Sequence, residues 1–294
     1  MQATAGSSVA STGGHAIVTL TTDFGTGSRY VGEMKGAILA VNPAGTVIDL
    51  AHTVPPQDVA TGSRWLAEST VSFPAGTIHV AVIDPGVGTD RDIVYAEFNE
   101  QRFVCPNNGL LTNLAERASP VTIIRIENPR YWRRAVSSTF HGRDIMGPVA
   151  GHLSRGVAPC ELGTALAPGC IVRLEDNPPK PTTIDSRRDD PDETTTGGGV
   201  SQRIEGEVIE VDSFGNLITN IKSASLEGAP RDAALVVACE DHQTFGLQAA
   251  YADQPPMTLV ALIGSGDRLE LAIVDDSASA MLGVQVGAPV VVEW

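Results

Sequence analysis

Two patterns of hydrophobic positions divide the chain. In the first half, short β-branched runs such as Ile17–Thr21 alternate with helical periodicity such as that of Tyr30–Val41. The same alternation predicts strands at Val47–Leu50, Ile78–Ile83, Ile93–Phe98 and Val121–Ile126, and helices near Asp58–Ser69, after Gly109 and from about Gly142 to Ser154. Alternating strands and helices predict an α/β domain in which helices cover a largely parallel sheet.

After about residue 203 the pattern changes to short strands separated by Gly, Pro and Asp turns. The predicted strands are Gly206–Val211, Leu217–Ile221, Ala234–Ala238, Thr258–Ile263, Leu269–Val274 and Pro289–Glu293. Strands of this length and spacing predict a second, smaller all-β domain, a barrel or sandwich.

The segment between the two patterns, Asp176–Arg203, is almost without apolar residues. It combines prolines and a charge run with a run of three threonines and three glycines. Such a composition buries too little surface to offset the entropy of ordering it. We therefore predict a disordered tail at residues 1–15, an α/β domain at 16–175, a flexible linker or insertion at 176–203 and a β-barrel domain at 204–294.

Composition narrows the possible partners and compartment. The 294 residues include 35 acidic and 20 basic ones, a net charge of −15, which repels nucleic acids and anionic membranes. No apolar run is long enough to cross a bilayer, and the N-terminus lacks the features of a secretion signal. The four cysteines form no C-x-x-C pair, which argues against zinc and against a disulfide framework. We expect a reduced, cytoplasmic protein.

Polar loops lie at the predicted strand ends, where α/β sheets bind ligands. They are Thr21–Gly25, Asp84–Arg91 and Ser137–Asp144. Each acidic residue alone also fits turn or capping chemistry. Together, a carboxylate, a guanidinium that keeps it ionised and an imidazole that takes a proton near neutral pH can activate a water molecule. Asp84, Arg91 and His141 are the candidates.

Six strings along the chain resemble those of a known family. They are TLTTDFG (Thr19–Gly25), YVGEMKG (Tyr30–Gly36), VIDPGVGTDR (Val82–Arg91), PNNGLLT (Pro106–Thr112), SSTFHGRDIMGP (Ser137–Pro148) and DSFGNLITNI (Asp212–Ile221). In content and order they resemble the S-adenosyl-L-methionine (SAM) hydroxide adenosyltransferases, or SAM hydrolases. This family is related to fluorinating and chlorinating enzymes that use the same substrate. The resemblance spans about residues 16–293, apart from Asp176–Arg203.

The resemblance implies both a reaction and an assembly. The reaction is hydrolysis of SAM to adenosine and L-methionine by in-line attack of water on ribose C5′, with no cofactor and no metal. The assembly is a homotrimer in which each active site lies between the N-terminal domain of one subunit and the C-terminal domain of its neighbour.

The resemblance also assigns roles to ten residues. The water-holding, catalytic residues are Asp84, Arg91 and His141. The substrate-binding residues are Asp23 at the ribose hydroxyls, Thr139 and Phe140 at the ribose and sulfonium, Asp212, Phe214 and Asn216 at the adenosine, and Ser265 near the methionine end. The chain departs from the family at Arg268, where many relatives have an aromatic residue, so we expect no stacking there.

Three other functions compete with hydrolysis. Halogenases of the family carry a tyrosine where Asp84 stands, a tyrosine-serine pair where His141-Gly142 stands and an extra loop soon after Phe98. A carboxylate disfavours a halide in a site of low dielectric constant, so Asp84 favours water. A non-catalytic SAM or adenosine sensor would use the same pocket. A metal hydrolase built from Asp23, Asp49, His52, Asp84 and His141 would lack the usual ligand spacing. Turnover measured with a chelator separates the last two from the hydrolase.

Overall fold

The chain divides into two units after Glu175. The computed structural model describes residues 16–175, 182–186 and 201–294. The tail predicted at residues 1–15 lies outside this part of the chain. Among the described residues, no helix combines the length and the hydrophobicity needed to span a membrane.

The first unit is built on a six-stranded sheet. Its strands are β1 (Ile17–Thr22), β2 (Thr46–Ala51), β3 (Ile78–Val82), β4 (Ile93–Phe98), β5 (Gln101–Pro106) and β6 (Thr122–Arg125). They lie in the order β2-β1-β3-β5-β4-β6. The pairs β1/β2, β1/β3 and β3/β5 are parallel, whereas β4 is antiparallel to both its neighbours. The predicted largely parallel sheet is confirmed.

The β4–β5 hairpin is one of the places where the sequence prediction was incomplete. Strand β5 was not predicted, because its connection to β4 lacks the glycine that usually marks a tight hairpin turn. In the structure Asn99 and Glu100 take that turn with φ of 46° and 65°. Two consecutive residues with positive φ are what a two-residue hairpin loop of type I′ requires.

Helices pack on the sheet of the first unit. They are α1 (Arg29–Val41), α2 (Val59–Ser69), α3 (Thr112–Arg117) and α4 (Gly147–Ser154). Helix α1 buries Val31, Met34 and Ile38, the residues of its apolar stripe. The helix predicted from Gly142 to Ser154 exists, but it begins with a π-helical segment, Gly142–Met146. Such segments are rare and occur often at functional sites.

The second unit is an eight-stranded antiparallel sheet. Its strands are β7 (Thr182–Ser186), β8 (Ser201–Val211), β9 (Leu217–Lys222), β10 (Val236–Cys239), β11 (His242–Phe245), β12 (Leu259–Ile263), β13 (Arg268–Ile273) and β14 (Pro289–Glu293). The order is β11-β10-β14-β8-β9-β13-β12, with β7 paired to β8. A short helix, α5 (Ala278–Leu282), precedes β14. The sheet curls so that it nearly closes, which confirms the predicted barrel-like domain.

Part of the predicted linker at 176–203 is strand. Residues 182–186 form β7 and residues 201–203 begin β8, and the two strands pair in antiparallel register from Thr182↔Glu205 to Ser186↔Ser201. Backbone pairing requires no apolar side chains, so composition alone did not indicate it. The other residues of this segment lie outside the described part of the chain.

Candidate active site

A cavity of about 600 Å³ opens at the carboxyl ends of β1 and β3 in the first unit. Among its lining residues are five of those predicted from the sequence: Asp23, Asp84, Thr139, Phe140 and His141. Parallel strands place the loops that follow them at one edge of a sheet, which is why Asp23 and Asp84 come together. The third loop, which carries Thr139, Phe140 and His141, also lines the cavity and leads into the π-helical segment.

Asp84 and Arg91 form a two-pronged ion pair beside the cavity. The Nε of Arg91 donates to Oδ1 of Asp84 at 2.6 Å, and Nη2 donates to Oδ2. The side chains are 4% and 10% exposed, respectively. Bidentate pairs of this kind fix geometry as well as charge, so the Asp84 carboxylate has one defined orientation.

His141 completes the trio through the same guanidinium. Nη2 of Arg91 lies 3.1 Å from Nδ1 of His141. A guanidinium has donors only, so Nδ1 must accept and the imidazole proton lies on Nε2. Partial burial, together with the charge of Arg91, holds the pKa of His141 below its ordinary value, against the opposing charges of Asp84 and Asp144. His141 is therefore neutral at pH 7 and presents an N–H as a donor.

The loops that carry Asp84 and His141 touch at Gly88. This glycine has φ of +81°, and a Cβ built on it would lie 2.4 Å from the backbone oxygen of Ser138. Any side chain at position 88 would force the two loops apart. The glycine thus permits the close approach of Asp84 and His141.

Aromatic rings form one wall of the cavity. Phe140 packs edge-to-face against Phe24 at 5.7 Å and against Tyr30 at 5.3 Å. The guanidinium of Arg143 lies 4.9 Å from the centre of the Phe140 ring. The guanidinium of Arg29 lies in the same way 5.1 Å from the centre of the Tyr30 ring, so aromatic rings and two arginines together form this wall.

Asp23 has one carboxylate oxygen already engaged. Its Oδ2 accepts a hydrogen bond of 2.8 Å from the backbone N–H of Gln57. That bond fixes the orientation of the carboxylate at the rim of the cavity.

The other four predicted residues line a separate cavity of about 750 Å³ in the second unit. They are Asp212, Phe214, Asn216 and Ser265. Phe214 is 77% exposed, so its ring is available to a ligand. Asp212 accepts from the backbone N–H groups of Phe214 and Asn216 at 2.8 and 2.9 Å, and from Nδ2 of Asn216 at 2.9 Å. Asp212 therefore organises the turn that presents Phe214.

An acidic side chain that the sequence did not single out also lines this second cavity. Glu270 is buried and accepts a hydrogen bond of 2.9 Å from the hydroxyl of Tyr251. Burial raises the pKa of Glu270, the Tyr251 hydrogen bond opposes this, and Asp212 raises it further. Burial also raises the pKa of Tyr251 to about 12. Two carboxyl groups thus share one wall.

The metal-hydrolase alternative depends on a cluster of ligating side chains. Within the described ranges, no three His, Cys, Asp or Glu side chains are grouped so that they could hold a metal ion. Asp49 and His52, two of the residues that this alternative invoked, instead interact with each other at 3.0 Å, and Asp49 binds Lys35 at 2.6 Å.

Comparison with known proteins gives the family. Residues 18–163 match the model of the SAM hydroxide adenosyltransferase N-terminal domain, and residues 206–291 match that of the C-terminal domain. The chain belongs to the SAM hydroxide adenosyltransferase family. The resemblance of the sequence strings is thereby confirmed.

Individual proteins are similar over about three quarters of the chain or more. An (R)-S-adenosyl-L-methionine hydrolase of Salinispora arenicola is 34% identical, over 92% of this chain and 95% of that protein. A fluorinase of Actinoplanes sp. is 28% identical, over 74% and 75%. The crystal structure of an uncharacterised conserved protein from Thermotoga maritima superposes with a TM-score of 0.81 at 32% identity, covering 94% of this chain and 99% of that one.

The sequence analysis missed several residues that line the 600 Å³ cavity of the first unit. They include Phe24, Tyr30, Glu33, Gln57 and Arg143. Phe24, Tyr30, Glu33 and Arg143 lie within strings quoted for the resemblance, so a signal existed. Gln57 contributes its backbone N–H, and a backbone donor leaves no mark in a sequence.

Proposed function

We propose that this protein hydrolyses SAM to adenosine and L-methionine. The observation that carries the proposal is the Asp84–Arg91–His141 arrangement beside the 600 Å³ cavity of a SAM hydroxide adenosyltransferase. This arrangement offers a carboxylate acceptor and an imidazole donor to one small molecule between them.

The substrate itself sets what the protein has to supply. The sulfonium of SAM leaves as a neutral thioether, so departure of methionine requires neither a general acid nor a metal. The C5′–S bond breaks with its electron pair going to sulfur, while a water oxygen forms the new bond to C5′. The protein must hold that water in line with the breaking bond and exclude other nucleophiles.

The hydrogen bond between Arg91 and His141 supports one direction of proton transfer. Because Nδ1 accepts from Arg91, the imidazole offers its Nε2–H to the oxygen of the water. Each oxygen of Asp84 keeps a second lone pair besides the one that accepts from Arg91. The water therefore donates to Asp84, which receives the proton as the C–O bond forms. The sequence predicts that His141 takes the proton; we propose Asp84 instead, and the contact between Arg91 and Nδ1 of His141 supports this choice.

The remaining residues position the substrate. Oδ1 of Asp23 accepts from the ribose hydroxyls, and Thr139 and Phe140 lie along the ribose and the sulfonium. In the second unit, Phe214 stacks on the adenine, while Ser265 lies near the methionine end. Asp212 and Asn216 hold the Phe214 turn, and Asn216 contributes its amide to the base.

We extend the proposal to the assembly and the compartment. Each unit carries a cavity with part of the binding residues. We place the complete site between subunits of a homotrimer, with one unit from each of two neighbours.

All four cysteines are free, and Cys160 and Cys170 are exposed, which suits the reducing cytoplasm.

The fluorinase relatives make halogenation the second candidate, and the position of Asp84 argues against it. A halide entering the cavity would have to shed its water beside a carboxylate whose side chain is 4% exposed. Desolvation of an anion is costly unless donors replace its water shell, and a carboxylate supplies acceptors. Arg91 does not compensate, because its guanidinium already serves Asp84 and His141.

We therefore expect adenosine and no 5′-halo-adenosine even with fluoride or chloride in excess. Parallel incubations of the protein with SAM, with and without halide, are analysed by chromatography with mass detection. Detection of 5′-fluoro- or 5′-chloro-deoxyadenosine would show that Asp84 does not face the nucleophile. Binding of SAM without turnover would identify a sensor instead.

A further inference from the structure

The loop that carries His141 closes on itself around Asp144. The backbone N–H of Arg133 donates to the backbone oxygen of Asp144 at 2.8 Å, and that of Asp144 donates to Phe140 at 3.1 Å. The N–H of Ser137 donates to the Asp144 carboxylate at 2.9 Å. Asp144 is thus hydrogen-bonded to three positions along the loop, at Arg133, Ser137 and Phe140.

The carboxylate of Asp144 is buried and paired with two arginines. The residue has 0% of its surface exposed. Arg143 donates to both oxygens, at 2.7 and 2.9 Å, and Arg133 donates at 3.2 Å. A buried carboxylate of this kind is tolerated only when its charge and lone pairs are satisfied, so the surrounding geometry is tightly determined.

Arg143 transmits this geometry to the wall of the cavity. Its Nη1 donates to Glu33 on helix α1 at 2.8 Å, and its guanidinium lies 4.9 Å from the centre of the Phe140 ring. Gly142 is buried between Met34 of α1 and Val82 of β3, so the same segment packs against both elements. The chain is therefore held in place on both sides of His141. On both sides Asp144 supplies contacts, to Ser137 before His141 and to Arg143 after it.

Asp144 also acts on His141 through its charge. Three charged groups shift the titration of the imidazole: Arg91, Asp84 and Asp144. Arg91 lowers the pKa of His141, whereas the two carboxylates raise it. Loss of the Asp144 charge would lower the pKa of His141 further.

We propose that Asp144 is a positioning residue, which holds His141 against Arg91 and the reacting water without touching the substrate. The inference rests on the proposed hydrolysis. It adds a residue outside the cavity lining to the groups on which turnover depends. The contacts of Asp144 with Ser137, Arg133 and Arg143 carry it.

The test is Asp144→Asn, which keeps the shape of the side chain and removes its charge. We expect kcat to fall about tenfold or more, because small displacements of a catalytic group are costly, while KM for SAM changes less. We also expect the acid limb of the kcat/KM profile to move to lower pH. That limb reports protonation of His141, whose neutral form is the active one, and the pKa of His141 falls when Asp144 loses its charge.

The controls separate positioning from folding. Glu161→Gln removes a carboxylate that accepts from Tyr131 at 2.6 Å elsewhere in the same unit, and it should leave both kcat and the acid limb unchanged. A wild-type protein that forms no adenosine would refute the proposed function. A wild-type rate in Asp144→Asn, or a lower rate with an unmoved acid limb, would overturn the role of Asp144 alone.

A second variant covers the case in which Asp144→Asn does not fold. Arg133→Gln removes an arginine whose side chain is 50% exposed. Both hydrogen bonds between Arg143 and the buried Asp144 carboxylate remain. We expect a fall in kcat of about twofold or more, with thermal unfolding near that of the wild type. An unchanged kcat in this variant would contradict the proposal.

Discussion

Asp84→Asn is expected to lower kcat by roughly 30- to 1,000-fold, which corresponds to about 2–4 kcal/mol of transition-state stabilisation. An asparagine amide at this position cannot receive a proton from the attacking water. The dissociation constant for SAM should stay within about tenfold of the wild-type value, because in the proposed mechanism Asp84 contacts the water and not the substrate. Single-turnover rates and equilibrium binding measure the two effects separately. His141→Ala should show the same division, since it removes the donor that holds the same water.

A neighbouring ion pair provides the matched control. Asp92 pairs with Arg125 at 2.9 Å, and both side chains are partly exposed. Asp92→Asn makes the same chemical change eight residues along the chain from Asp84, outside the cavity lining. It should keep the wild-type kcat. Wild-type turnover in a folded Asp84→Asn protein would mean that the trio is not the catalyst.

Two inactive variants are expected to restore each other's activity. One carries Asp84→Asn in the first unit, and the other carries Phe214→Ala with Asn216→Ala in the second. If each site joins units from two neighbours in a trimer, every mixed trimer contains one interface whose two halves are both intact. Random co-assembly makes about three quarters of the trimers mixed, so co-expression at equal levels should give about a quarter of the wild-type activity.

Two different affinity tags allow the mixed assemblies to be isolated. Each parent variant, expressed alone and purified in the same way, gives the background rate. A site contained within one subunit would have a defective half in every chain. Isolated mixed trimers with no more activity than the parents, or a fully active monomer in light scattering, would therefore contradict the proposed assembly.

Most of the fold could be predicted because its signals are local. The apolar stripe of α1 predicts a helix, and the β-branched runs of β1 and β3 predict strands, without reference to the rest of the chain. The β4–β5 hairpin escaped because Asn99 and Glu100 adopt positive φ without a glycine. Strand β7 escaped because pairing to β8 depends on backbone hydrogen bonds and not on side-chain pattern.

In the candidate site, too, some features could be predicted from the sequence and others could not. Asp84, Arg91 and His141 could be placed together because they follow strand ends or precede a helix, and because their strings resemble one family. The direction of the hydrogen bond from Arg91 to His141 could not be predicted, since it depends on side-chain geometry. Asp144 stands beside His141 in a quoted string, yet its importance comes from partners at positions 133, 137 and 143 that only the folded loop brings to it.

The most direct test of the account is turnover of SAM in oxygen-18-labelled water with a chelator present. Attack of water on C5′ predicts that adenosine carries the label in its 5′ hydroxyl, that methionine carries none, and that the chelator leaves the rate unchanged. Mass spectrometry of the two products and of adenosine fragments locates the label. Absence of adenosine, adenosine without the label, or loss of activity with the chelator would contradict hydrolysis by a water held between Asp84 and His141.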